Sequence, residues 1–122
     1  HNSYAGALSG LADILVAAGR LDEAESLYRQ SIEIRRTALG GEIGVVGLAV
    51  AGLGDVSARR NDFAAADSLY RRALEIVGEY ATPVHMDVRD IYGRLAALHA
   101  AHGRPGDAER YRVLARGDSA GR

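Results

Sequence analysis

A stretch of eleven residues occurs twice in this chain at an offset of 42. Ala24-Glu25-Ser26-Leu27-Tyr28-Arg29-Gln30-Ser31-Ile32-Glu33-Ile34 aligns with Ala66-Asp67-Ser68-Leu69-Tyr70-Arg71-Arg72-Ala73-Leu74-Glu75-Ile76, with seven identities and four conservative differences. Another 42 residues on, Ala108-Glu109-Arg110-Tyr111-Arg112-Val113-Leu114-Ala115 is a weaker copy. The segments before each copy keep the same phase: Gly19-Arg20-Leu21-Asp22, Asn61-Asp62-Phe63 and Gly103-Arg104-Pro105-Gly106-Asp107. Self-similarity at a fixed period marks a repeat architecture, in which each unit stacks on the next to bury a shared core. The 122 residues divide into units 1–42, 43–84 and 85–116, followed by a polar tail 117–122.

Within a unit the apolar residues recur with the period of a helix. Leu8, Leu11, Ala12 and Leu15 fall at i, i+3, i+4 and i+7, the stripe of an amphipathic helix. Ala24, Leu27, Tyr28, Ser31, Ile32 and Ile34 form a second stripe after the turn. Gly19 suits the left-handed conformation past a helix end, and Asp22 suits the cap of the next helix. The same logic predicts helices near 3–18, 22–38, 43–60, 64–80, 86–102 and 106–116, with Pro83 between the fourth and fifth and Pro105 at the start of the last. No segment alternates with a period of two, so no sheet is expected.

These residues resemble the tetratricopeptide repeat family. The resemblance rests on mid-helix small residues (Ala12, Gly54, Ala96), turn residues (Gly19, Asn61, Gly103), second-helix alanines (Ala24, Ala66, Ala108) and the aromatics four residues on, Tyr28 and Tyr70. The third unit departs, with Arg112 in the aromatic slot and Tyr111 beside it. The 42-residue period is longer than the standard 34 of the family, and with Ala38-Leu39-Gly40 it looks like the kinesin-light-chain type found in bacterial multidomain proteins. The resemblance implies an all-α, right-handed solenoid of three stacked antiparallel helix pairs, acting as a non-catalytic module that binds a protein or peptide. An alternative role is that of a regulatory or structural arm in a larger bacterial signalling protein, such as a serine/threonine kinase or a transcriptional regulator. All 15 basic residues are Arg, which with the many Ala and Gly points to a GC-rich genome.

Composition and motifs remove several kinds of chemistry. A formal charge of −1 argues against a nucleic-acid platform, and no apolar run reaches the ~18 residues of a membrane span. With no signal segment either, a cytoplasmic location is the expectation. Zero Cys excludes disulfides, thiolate zinc sites and a cysteine nucleophile. The Gly-rich run from Gly40 to Gly47 lacks the Gly-Lys-Ser/Thr ending of a phosphate loop. His99 and His102 lie at i, i+3 with His85 further off, but His99 is in phase with Leu15 and reads as a core residue, and His102 suits a helix C-terminus. Serines lack a His and Asp arrangement, and Asp13 and Asp55 would need an enclosed pocket to act as acid and base. No catalytic residue, metal or cofactor is therefore expected. Glu25 with Arg29 and Asp67 with Arg71 read as solvated i, i+4 pairs.

The resemblance implies that the first helices of the three units line a concave groove. Carried over, its polar residues are Ser9, Asp13, Asp55, Arg59, Asp90 and Arg94. A carboxylate only accepts hydrogen bonds, so Asp13 and Asp55 call for a ligand with N–H groups or a cation, while Arg59 and Arg94 are expected to answer an acidic group. The Lys and Asn that hold chaperone C-terminal carboxylates in this family are missing, so that function is not expected. Leu8, Leu11 and Leu15 offer no polar cap. That points to flanking repeats in a longer protein, or to self-association through the open ends of the solenoid. Gly44, Gly47, Gly52 and Gly54 weaken the third helix on propensity. On this reading Gly47→Ala stabilises the chain, whereas Gly54→Leu overpacks a close helix contact.

Overall fold

The computed structural model of the chain describes residues 2–38, 43–82 and 85–117. Six helices and no strand are found among them: α1 (Asn2–Ala17), α2 (Leu21–Ala38), α3 (Ile43–Arg59), α4 (Phe63–Val77), α5 (Met86–Ala101) and α6 (Pro105–Ala115). The expected Ala38-Leu39-Gly40 closure, the position of Pro83 and most of the polar tail lie outside the described residues. The helices pack as pairs α1–α2, α3–α4 and α5–α6, with α2 against α3 and α4 against α5 joining pair to pair. First helices also touch one another, α1 with α3 and α3 with α5. The fold is an all-α helical repeat solenoid.

One turn chemistry is used three times. Gly19, Asn61 and Gly103 have φ of 80°, 61° and 72°, the left-handed conformation that ends a helix at low cost for Gly and tolerably for Asn. The next residue then closes the same backbone bond in each unit: Arg20 N–H to Leu15 O at 2.9 Å, Asp62 N–H to Ser57 O at 2.9 Å, and Arg104 N–H to His99 O at 2.9 Å. Entry into the second helix varies. Asp62 caps α4 by accepting from the Ala65 N–H at 3.1 Å, and Pro105 begins α6, where its missing N–H does no harm. Asp22, expected as the cap of α2, is instead inside its first turn, and its carboxylate pairs with Arg60. α4 stops at Val77 rather than near 80, where the bonding tightens to i→i−3: Glu79 N–H to Ile76 O at 3.2 Å and Tyr80 N–H to Val77 O at 3.1 Å.

Two clusters make the core. One gathers Ala12, Ala24, Tyr28, Ala49, Leu53 and Val56, and the other centres on Tyr70, Val77, Ile91 and Leu95. Ile32 and Leu69 pack against both clusters and join them. Full burial of a side chain such as Ile91 or Leu95 stabilises by about 1.5–3 kcal/mol. Leu11 does not join them; it is 46% exposed on the outer face of α1.

Gly47, Gly52 and Gly54 of α3 are seats for side chains. A Cβ at residue 54 would come within 2.6 Å of Tyr70 Cε1, and one at residue 52 would run into the ring of Tyr28. Gly54 is therefore small because an aromatic ring lies on it, not because a helix backbone approaches. Gly47 corrects the expectation made for it. A Cβ there would meet Val77 Cγ2 at 2.6 Å and Ile76 Cγ2 at 3.3 Å, and a β-branched Val has little rotamer freedom with which to retreat. Gly47→Ala is expected to lower stability by about 1 kcal/mol or more, overpacking outweighing the gain in helix propensity. A melting temperature above that of the parent would contradict this seat.

Candidate functional site

α1, α3 and α5 lie side by side and form the floor of an open trough. Ser9 and Asp13 of α1, Leu48 and Ala49 of α3, and Asp87, Asp90 and Arg94 of α5 face into it, with Tyr28 rising from α2. The Tyr28 hydroxyl donates to Asp13 Oδ1, and the Tyr70 hydroxyl donates to Asp55 Oδ1 at 2.6 Å. Burial first, then the nearby carboxylate, pushes both phenols well above their ordinary range, so each remains a neutral donor. The pairing is written in the chain as an Asp fifteen residues before a Tyr. In the third unit both are lost together, Ala97 and Arg112 standing in their places.

Arg94 ties the second unit to the third. It donates to Asp55 Oδ2 at 2.7 Å and pairs with Asp90 Oδ2 at 3.0 Å. Burial opposes its charge, but the two carboxylates more than offset this and leave the guanidinium above its ordinary value. Burial also pushes the Asp55 carboxyl up, against the opposite pull of Arg94 and Tyr70. Arg94 is thus a bridge already held at both ends rather than a cation waiting for a ligand. Arg59 differs: it is exposed and has no partner among the described residues. Ser9 is also engaged. The Ser31 hydroxyl donates to Ala5 O at 2.8 Å, so the Ser9 hydroxyl, 2.7 Å from Ser31 Oγ, must be the donor to it.

Asp87 is a trough residue that the sequence reading missed. It accepts from the Tyr80 hydroxyl at 2.7 Å, and burial followed by this bond pushes the Tyr80 phenol up to about 12. The trough thus gathers Asp13, Asp87 and Asp90 with the Arg94 guanidinium, whose further partner Asp55 lies outside the trough lining. Among the described residues Asp13 has one oxygen without a hydrogen bond, and Asp90 is held only through Oδ2 by its ion pair with Arg94.

The histidines do not converge. His85 caps α5, accepting from the Asp87 N–H at 3.1 Å, and His102 Nδ1 donates to Leu98 O at 3.0 Å. His99 is buried, with Nε2 at 2.9 Å from Asp67 Oδ1 and its ring against Phe63 and Tyr111. Its Nδ1 has no hydrogen-bond partner and lies 3.8 Å from Asp107 Oδ2. Burial pushes the Asp67 carboxyl up, but hydrogen bonds from His99 and Arg71 outweigh it and leave it below its ordinary value. The Asp67–Arg71 pair is therefore more than a solvated pair; it anchors a buried imidazole. Among the described residues no group of three or more His, Asp or Glu is placed to hold a metal, and no helix is long and apolar enough to cross a membrane.

Tetratricopeptide repeat sequence models match residues 5–42 and 49–84, together more than half of the chain. The chain belongs to the tetratricopeptide repeat family. Its third unit, where the Asp–Tyr pair is lost, lies outside both matches. No curated protein matches the chain in sequence. This tetratricopeptide repeat chain is similar in fold to the crystal structure of BtubC (BKLC) from P. vanneervenii, with a TM-score of 0.78 and 24% identity over 93% of this chain. The match takes in 45% of the BtubC chain, so this chain spans less than half the length of that protein. Tetratricopeptide repeats are generally non-catalytic modules for protein–protein interaction.

Proposed function

We propose that the trough across α1, α3 and α5 binds an extended, basic segment of a partner protein. The observation that carries this is the charge balance of the trough: Asp13, Asp87 and Asp90 line it beside a single guanidinium, that of Arg94, which is already shared by Asp55 and Asp90. A carboxylate can only accept, so the free oxygens of Asp13 and Asp90 favour Lys, Arg or backbone N–H groups. Gly6 and Gly10 of α1, which carry no side chain, allow the ligand backbone to approach closely. The Arg59 and Arg94 pair, read from sequence as an answer to an acidic ligand group, reduces to Arg59. The three units 1–42, 43–84 and 85–116 contribute one first helix each, so the trough needs all three.

A peptide array of extended segments graded from acidic to basic tests this reading. The parent chain is expected to retain the basic peptides, and Asp13→Asn with Asp90→Asn to weaken them several-fold, since each exposed charge pair is worth ~0.2–1 kcal/mol. Arg59→Ala should leave basic peptides bound. Equal capture of basic peptides by the parent and the double Asn variant would move the binding surface elsewhere.

A further inference from the structure

A second, smaller pocket shares Arg94 with the trough and opens between α3 and α5. Ala58, Ala97, Leu98 and Ala101 supply its apolar lining, and Asn61 and His102 supply polar groups. Its volume is about 270 Å³, below the ~300–1,000 Å³ of sites that take a whole small molecule, so it suits a single side chain. Position 97 carries Ala where the first two units carry Asp13 and Asp55, which keeps a further carboxylate out of this lining.

The fold leaves both polar groups unused. Asn61 has φ of 61°, a left-handed conformation that the other two turns assign to Gly19 and Gly103. Glycine adopts it without strain, so the turn does not require a side chain at residue 61. The Asn61 side-chain amide makes no hydrogen bond among the described residues. His102 is fixed from two sides: its Nδ1 donates to Leu98 O at 3.0 Å, and the Phe63 ring lies 5.0 Å from its own. Its Nε2 has no partner among the described residues. The charges beside these groups are already paired, Arg94 with Asp55 at 2.7 Å, and the other Asp55 oxygen takes the Tyr70 hydroxyl.

We propose that this pocket selects a carboxamide side chain, Gln or Asn, from the segment bound in the trough; the proposal rests on the trough being the peptide site. An amide carries a donor and an acceptor side by side, as Asn61 does, so the two can pair in both directions. His102 Nε2 accepts in the neutral ring and donates in the charged one, and a carboxamide answers either form. A carboxylate has no donor for the Asn61 oxygen, and an ammonium has no acceptor for the Asn61 NH2. An alkyl side chain would cover both groups and leave them unpaired, which costs binding.

The test uses the whole chain and extended peptides of alternating Lys and Ala. One Gln is moved through successive positions, and each peptide is compared with Leu and Glu at the same position. At one position Gln is expected to bind about tenfold more tightly than Leu, the worth of two neutral hydrogen bonds, with Glu no better than Leu. Asn61→Gly gives the turn the residue that the other two units use, so the chain should stay folded while most of the preference for Gln is lost. His102→Ala should act in the same direction. Asp13→Asn with Asp90→Asn should weaken every peptide and leave the ratio of Gln to Leu unchanged, which separates the pocket from the trough. Peptides that bind with no preference for Gln, or with one that survives both Asn61→Gly and His102→Ala, would overturn the pocket and leave the trough reading in place. Tighter binding of Glu than of Gln would also overturn it, giving the pocket to an anion facing Arg94. Failure to retain any of these basic peptides would overturn the trough reading and the pocket with it.

Discussion

Tyr70→Ala is expected to lower the stability of the chain by about 3–5 kcal/mol, the range for removing a buried aromatic side chain. The ring is 3% exposed, lies on Gly54 and packs in the cluster that joins α3, α4 and α5. A glycine below it has no side chain with which to fill the space, so the cavity cannot collapse easily. The hydroxyl adds a second loss, because Asp55 surrenders one of its two donors while remaining largely buried. Tyr70→Phe separates the two: it keeps the packing and removes a hydrogen bond to a charged acceptor, worth about 1.5–3 kcal/mol. With a total stability of roughly 5–15 kcal/mol for a domain of this kind, Tyr70→Ala should shift the melting temperature by on the order of 10 °C. Urea unfolding of the three proteins checks it. A Phe variant as unstable as the Ala variant would mean that the ring contributes little beyond its hydroxyl.

The repeat and its turns were legible because they depend on local chemistry. Gly19, Asn61 and Gly103 each need a left-handed conformation, and residue type alone marks such positions. The small residues Ala12, Ala24, Gly54 and Ala66 were legible as phase, but the reason for each was not. Whether a helix or an aromatic ring crowds a glycine depends on side-chain direction, which is why Gly47 and Gly54 were both misjudged. The trough shows the same boundary. Asp13 and Asp55 were found by repeat phase, and their tyrosine partners fifteen residues on recur with them, a signal available in the chain but overlooked. Arg94 was placed on the right face and given the wrong occupation, because its two carboxylates come from different units. Asp87 and the buried His99–Asp67 contact depend on how α5 lies against α4 and α6, and no periodicity reports that.

Gly54→Leu is the second large effect, and its partner matters more than its size. A Cβ at residue 54 would stand 2.6 Å from Tyr70 Cε1 and 2.7 Å from Cδ1, and the remaining atoms of Leu would enter the ring itself. Overpacking of this kind costs about 1–3 kcal/mol and more where neighbours cannot move. Tyr70 cannot move freely, because Asp55 holds its hydroxyl. The better helix propensity of Leu returns less than about 1 kcal/mol, so the single variant should be clearly destabilised. Combined with Tyr70→Ala, the same Leu enters space that the ring has left. The double variant is then expected to be more stable than Tyr70→Ala alone, with a coupling within the ~0.5–3 kcal/mol seen for residues in contact. If the crowding at residue 54 came from the backbone of α4, as helix phase alone suggests, the two losses would add. A double-mutant cycle by urea unfolding decides between ring and backbone, and additive losses would remove Tyr70 as the reason that this position is glycine.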